Sequence, residues 1–114
     1  MLTLAVLVFA VAAVGGVILA SHVLRDKMAP WPLSILHALL GATGLVLLGL
    51  IVSGGVASPL VGWSLGVFIV AALGGFYLAS HHRSNRLPPK GVVVLHALLA
   101  VTGFGILLAA FLNV

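Results

Sequence analysis

Leu36-His37-Ala38-Leu39-Leu40 occurs a second time in this chain, as Leu95-His96-Ala97-Leu98-Leu99, at an offset of 59 residues. The same offset aligns other identical segments, namely Val8-Phe9 with Val67-Phe68, Gly15-Gly16 with Gly74-Gly75, and Leu19-Ala20-Ser21-His22 with Leu78-Ala79-Ser80-His81. No gap is needed between residues 8 and 48, and about half of those positions are identical. A match of this length indicates an internal duplication, in which each copy contributes two histidines.

The composition is that of a membrane protein. Of the 114 residues, 63% are hydrophobic and only 5% are charged, whereas soluble domains carry about 25% charged residues. The absence of cysteine excludes thiolate metal sites, disulfides and thiol redox chemistry. The net charge of +4 comes from five Lys and Arg residues against Asp26. Since those cations flank apolar segments, they indicate membrane topology, and we expect no nucleic-acid partner.

Four apolar segments are each long enough to cross a hydrocarbon core of about 30 Å as a helix. They run from Leu2 to about Ser21, from Pro32 to Val52, from Leu60 to Ser80 and from Gly91 to Leu112. Polar connections at 22–32 and 81–90 and an uncharged turn at 53–59 separate them. We therefore predict an all-α membrane protein with a single domain, residues 1–114, folded as a four-transmembrane-helix bundle. Its two tandem two-helix repeats cover about residues 1–53 and 60–112.

The cations predict the orientation in the lipid bilayer. All five lie in the first and third connections, at Arg25, Lys27, Arg83, Arg86 and Lys90. By the positive-inside rule these connections face the cytoplasm and both chain ends lie outside, as expected for a multi-pass protein of a bacterial inner membrane. Two hairpins of equal orientation imply a pseudo-twofold axis along the membrane normal. Small residues spaced by four, Ala12 with Gly16 and Ala71 with Gly75, predict close helix packing.

Four histidines at one end of the predicted bundle are the candidate ligands of a cofactor. His37 and His96 lie about one and a half turns inside their helices, and His22 and His81 lie at the membrane boundary. Polar groups within a span are costly and tend to be functional, and a neutral imidazole is a good metal ligand. His82 has no counterpart histidine in the first repeat, so we expect it to be an anchor or a solvated side chain at the membrane interface.

Two features favour haem, although the histidines also suit a zinc, copper or iron ion. Each histidine has a glycine seven residues away on the same helix face, which predicts room for a flat macrocycle. These glycines are Gly44 for His37, Gly103 for His96, Gly15 for His22 and Gly74 for His81. The cations at the same end, Arg83 and Lys90 among them, suit the two haem propionates.

In plan, the chain resembles small membrane-bound b-type cytochromes, in which histidines on adjacent spans hold haem inside a four-helix bundle. The resemblance covers the whole chain and implies haem b, one or two per chain, exchanging electrons with quinone or a partner redox subunit. The resemblance implies an oxidoreductase component. The chain would then be a free-standing protein, a homodimer or the membrane anchor of a larger enzyme. With one haem we expect His37 and His96 as ligands. With two, each site pairs a boundary histidine with a deeper one.

Two other classes of function stay open. One is transport: small four-helix multidrug exporters depend on an intramembrane carboxylate, which this chain lacks, whereas the binding or transport of copper, zinc or iron stays possible although the outer half offers no polar path. The other is a structural membrane subunit without chemistry. Because all candidate ligands lie at the positively flanked end, we expect electron exchange from the cytoplasm or the inner leaflet. We expect no electron relay across the membrane by this chain alone.

Overall fold

The computed structural model describes residues 1–55 and 58–114. Within them the chain forms four α-helices, which are α1 (Leu2–Leu24), α2 (Trp31–Ser53), α3 (Pro59–Arg83) and α4 (Lys90–Leu112). Each helix is long and apolar enough to cross a membrane, which confirms the predicted all-helical architecture with four membrane-span-like helices. Part of the uncharged turn predicted at 53–59 lies outside the described residues, because these omit 56 and 57.

The helices α1 and α3 are each three residues longer at their C-terminal ends than the sequence predicted. His22 and His81, expected at the start of the polar connections, therefore lie in the last turn of a helix. The chain leaves both helices through the same conformation, because Asp26 and Asn85 have left-handed backbones with φ of 59° and 55°. Aspartate and asparagine adopt this conformation more readily than other residues with a side chain. Two positions 59 residues apart in the sequence thus end the helices in the same way.

The four helices form a square bundle in which each helix packs against two neighbours. Within the described residues, α1 and α3 each contact α2 and α4, whereas the diagonal pairs α1–α3 and α2–α4 have no close backbone approach. Contacts are more extensive within the hairpins α1–α2 and α3–α4 than between them. The two diagonal pairs therefore meet through side chains that reach the centre of the bundle.

The surface of the bundle is apolar. Several large side chains are about 70% exposed, among them Val17, Trp63, Phe76 and Val101. Soluble monomers rarely expose continuous apolar surface on this scale, whereas such a surface matches hydrocarbon tails. The surface and the helix lengths together suggest a multi-pass membrane protein.

Two phenylalanines fill the centre of the bundle near its middle. The rings of Phe9 on α1 and Phe68 on α3 are stacked, with centroids 3.9 Å apart and planes 3° from parallel. They fit because α2 and α4 present glycines there. A Cβ on Gly44 would lie 2.5 Å from the Phe9 ring, and one on Gly103 would lie 3.2 Å from the Phe68 ring. This Phe9–Phe68 layer separates the two ends of the bundle.

Candidate functional site

His37 and His96 meet at the centre of the bundle, on the side of the Phe9–Phe68 layer that leads to the basic connections. Their ring centroids are 6.2 Å apart, and the ring planes are 77° from parallel. The two residues lie on α2 and α4, which are diagonal to each other. The structure thus brings together the two histidines that the duplicated segment singled out.

A backbone carbonyl fixes the orientation of each imidazole. Nδ1 of His37 lies 2.9 Å from the carbonyl oxygen of Ala12, and Nδ1 of His96 lies 2.7 Å from that of Ala71. A carbonyl oxygen only accepts hydrogen bonds, so the neutral ring carries its proton on Nδ1 and donates it. Nε2 therefore keeps a free lone pair, as in metal-ligating histidines whose other nitrogen is bonded to a carbonyl.

Each of these hydrogen bonds lies within one hairpin. His37 on α2 bonds to α1, and His96 on α4 bonds to α3. Every hairpin therefore orients its own histidine, and the pair forms where the two hairpins meet. In both hydrogen bonds, the histidine and the residue that supplies the carbonyl are 25 residues apart in the chain.

Glycines of α1 and α3 allow the rings to lie against the helix backbones. A Cβ on Gly16 would be 2.9 Å from Cε1 of His37, and one on Gly75 would be 3.2 Å from Cε1 of His96. Both distances are shorter than ordinary carbon–carbon contacts, which are about 3.5–4.0 Å. The small residues expected to serve helix packing therefore also make the space for the two imidazoles.

The glycines predicted to face a macrocycle have side-chain neighbours in this structure. Gly44 and Gly103 lie under the phenylalanine rings. A Cβ on Gly15 would be 3.7 Å from Leu33, and one on Gly74 would be 3.6 Å from Nδ1 of His96. Of these four glycines, Gly74 is therefore the one whose Cβ would meet a histidine ring.

His22 and His81 do not join the central pair. Nδ1 of His22 lies 2.8 Å from the carbonyl oxygen of Ile18, and Nδ1 of His81 lies 3.1 Å from that of Tyr77, each one turn earlier on its own helix. Across residues 1–55 and 58–114, no group of three or more His, Cys, Asp or Glu side chains could hold a metal ion together. The centre is a two-histidine arrangement.

His82 is buried, so the expectation that it is a solvated side chain is wrong. It is only 9% exposed, and its ring is stacked on Trp31 with centroids 3.9 Å apart. Its Nδ1 also lies 3.3 Å from the hydroxyl of Ser34. Trp31 and Ser34 belong to α2, so His82 joins the two hairpins near the basic connections.

The basic side chains at this end are solvent-exposed. Arg83 lies at the C-terminal end of α3, and Lys90 is the first residue of α4. The Nζ of Lys90 forms an ion pair with Asp26 at 3.0 Å, with both side chains at least half exposed. An exposed ion pair of this kind is weak, so Lys90 can exchange Asp26 for another anion.

The donor atoms of the pair fit a metal ion. Two opposed metal–nitrogen bonds of about 2 Å, each followed by an imidazole ring, place the ring centroids about 6 Å apart. The separation of 6.2 Å between His37 and His96 agrees with that arrangement. A porphyrin, in contrast, does not fit the packing described, because it must extend toward α1 and α3, where Gly16 and Gly75 already contact the rings. A macrocycle therefore requires α1 and α3 to move apart.

Sequence reasoning missed the residues that surround the pair. The duplication matched Phe9 with Phe68 and Gly16 with Gly75, but it did not show which helix each side chain faces. Nothing in the sequence except a small side chain distinguishes Ala12 and Ala71, whose carbonyls accept the hydrogen bonds of the two histidines.

Comparisons with models of known protein families, with curated proteins and with solved structures find no match to this chain.

Proposed function

We propose that this chain is a membrane electron-transfer protein whose metal is held between His37 and His96, and that its cofactor is haem b, bound with α1 and α3 further apart than in the packing described above. The observation that supports the proposal best is the central pair itself. Two imidazoles, both with a free Nε2, lie 6.2 Å apart in an apolar bundle. Polar side chains within a membrane span are costly, so a pair oriented by two carbonyls indicates a function.

The proposal includes a bundle inserted in a bacterial inner membrane with a pseudo-twofold axis along the membrane normal. Paired features 59 residues apart support the axis, such as the carbonyl bonds of His37 and His96 and the left-handed Asp26 and Asn85. The cations support the orientation, with the basic connections in the cytoplasm and both chain ends outside.

Each residue has a defined role in the proposed site. The Nε2 atoms of His37 and His96 hold the iron, which supplies a one-electron redox change when haem is bound. Arg83 at the end of α3 and Lys90 at the start of α4 would pair with the haem propionates, with a propionate taking the place of Asp26 at Lys90. We propose one haem per chain, because His22 and His81 are bonded to their own helices.

Electron exchange is proposed on the cytoplasmic side, with inner-leaflet quinone or with a partner redox subunit. The Phe9–Phe68 layer lies on the outer side of the pair and carries no redox-active group. No further histidine follows toward the outer end of the bundle. Roughly half of the hydrocarbon core, about 15 Å, therefore separates the centre from the outer surface.

Ligand variants test the assignment. His37→Ala and His96→Ala should each remove most of the haem from protein purified out of haem-replete cells, measured as haem per chain. His22→Ala is the matched control, because that side chain is only partly buried and is bonded to its own helix, and it should retain haem. Haem lost from the His22 variant and kept in the His96 variant would contradict the pairing.

The direction of exchange needs a separate experiment with haem-loaded protein in oriented proteoliposomes. A membrane-impermeant reductant should reduce the haem quickly from the side of the basic connections and slowly from the other side. Fast reduction from the side of the chain ends would contradict the cytoplasmic assignment, while leaving the ligand assignment intact.

A further inference from the structure

The ring centroids of His37 and His96 lie 6.2 Å apart, which is about the separation that two opposed metal–nitrogen bonds of about 2 Å to one ion produce. Gly16 and Gly75 bring the backbones of α1 and α3 against the two rings, and the Phe9–Phe68 layer fills the adjoining centre. We propose that the bundle, with α1 and α3 packed as described above, binds one monovalent copper ion, with Nε2 of His37 and Nε2 of His96 as its two ligands. This inference rests on the proposed role of the pair as metal ligands, and it does not depend on haem.

The number of ligands selects the ion. The central pair offers two imidazole nitrogens, and the described part of the chain holds no group of three or more metal-binding side chains. Zinc in proteins is almost always four-coordinate, and calcium and magnesium require oxygen ligands. Imidazole suits copper, and its monovalent ion has a filled d shell and accepts two opposed nitrogen ligands. A two-nitrogen site therefore favours copper(I) over these divalent ions.

The charge of the site also favours a monovalent ion over a divalent one. The cost of moving an ion into a low-dielectric interior rises with the square of its charge, so a monovalent ion costs about a quarter as much as a divalent one. Both imidazoles are neutral ligands when Nδ1 donates to a carbonyl. Asp26 is the chain's only acidic residue, and it lies in a connection paired with Lys90. No carboxylate is thus available to balance a second positive charge.

The hydrogen bonds of the two rings leave the same nitrogen, Nε2, available for coordination. The Nδ1–H groups of His37 and His96 are already engaged with the carbonyls of Ala12 and Ala71, so Nε2 is the ligating atom on both rings. Two bonds of about 2 Å to one ion reproduce a separation of the rings of about 6 Å. A single ion is compatible with the observed ring separation, whereas a porphyrin requires α1 and α3 to move apart.

Competition with a chromogenic copper(I) chelator tests the proposal on the purified, haem-free full-length protein under anaerobic conditions. We expect one copper per chain, and X-ray absorption should show two nitrogen neighbours at roughly 2 Å and no third ligand. His37→Gln and His96→Gln should each weaken retention by more than about tenfold, the scale on which coordination shells affect metal affinity. The His22→Gln control should bind as the unmodified protein does.

Three results would overturn the proposal: no copper retained by the unmodified protein, copper retention by both glutamine variants equal to that of the unmodified protein, or three or more ligands in the absorption data. The absorption measurement needs no variant, so it decides even if a glutamine variant fails to fold. Haem loading is measured in parallel. Protein that binds haem and rejects copper contradicts this inference alone, whereas protein that binds copper and rejects haem contradicts the haem proposal alone.

Discussion

The imidazole rings of His37 and His96 lie 6.2 Å apart although their helices, α2 and α4, are diagonal in the bundle and have no close backbone contact. Each ring reaches the centre because its Nδ1 is bonded to a carbonyl of the neighbouring helix in its own hairpin. The two hairpins therefore each provide one oriented ligand. A metal that binds both rings also holds the hairpins together, so metal loading should stabilise the bundle.

The orientation of the chain can be measured with single cysteines, because the natural sequence has none. A Ser84→Cys variant places the thiol in the connection after α3, and a Ser53→Cys variant places it at the end of α2. In intact cells, an impermeant thiol reagent should label the Ser53 variant and spare the Ser84 variant. The reverse pattern would show that the basic connections face outward, contrary to the charge rule.

Gly44 should not tolerate a side chain. A Cβ there would lie 2.5 Å from the Phe9 ring, and overpacking of a filled core costs about 1–3 kcal/mol. Gly49→Ala is the matched control, because it lies on the same helix with nothing within 4 Å of the added Cβ. We expect Gly44→Ala to lower the unfolding temperature in detergent and Gly49→Ala to keep or raise it. Equal unfolding temperatures for the two variants would contradict the packing of Phe9 on Gly44.

Ser64 makes a buried hydrogen bond, whereas the position 59 residues earlier in the sequence is Ala5. Its hydroxyl is fully buried and donates to the carbonyl of Gly103 at 2.8 Å. Such bonds in membrane bundles contribute about 0.6 kcal/mol on average. Ser64→Ala should therefore lower the free energy of unfolding by about that amount, while Ser80→Ala, whose exposed hydroxyl bonds within its own helix, should change it less. A larger loss from the Ser80 variant would contradict this ranking.

The Trp31–His82 stack gives the two hairpins a spectroscopic reporter. In a Trp63→Phe background Trp31 is the sole tryptophan, and the replaced Trp63 is about 70% exposed. Removing the stacked ring by His82→Ala should shift the emission of Trp31, because the indole loses the imidazole stacked on it with ring centroids 3.9 Å apart. A double-mutant cycle with Trp31→Leu should show a coupling of about 0.5–1.5 kcal/mol. The His81→Ala control should leave the emission unchanged, and an unchanged emission in the His82 variant would contradict the stack.

The sequence predicted the four helices, because the length of each apolar segment can be read from the chain. The identical segments at 36–40 and 95–99 also singled out His37 and His96. The sequence did not predict which glycine faces which ring. Gly15 and Gly16 are adjacent and differ by about 100° around a helix of 3.6 residues per turn, so only the rotation of α1 against α2 assigns Gly16 to His37. The burial of His82 was missed for the same reason, because Trp31, on another helix, covers it.

The absorption spectrum of the purified, unmodified protein tests the central proposal most directly. Cells supplied with haem should yield a coloured protein with a Soret band and sharp α and β bands on reduction, the signature of iron held by two imidazoles. The same bands should be absent from protein in which both His37 and His96 are replaced by alanine. A colourless preparation, or bands that survive the double replacement, would contradict a haem bound between His37 and His96.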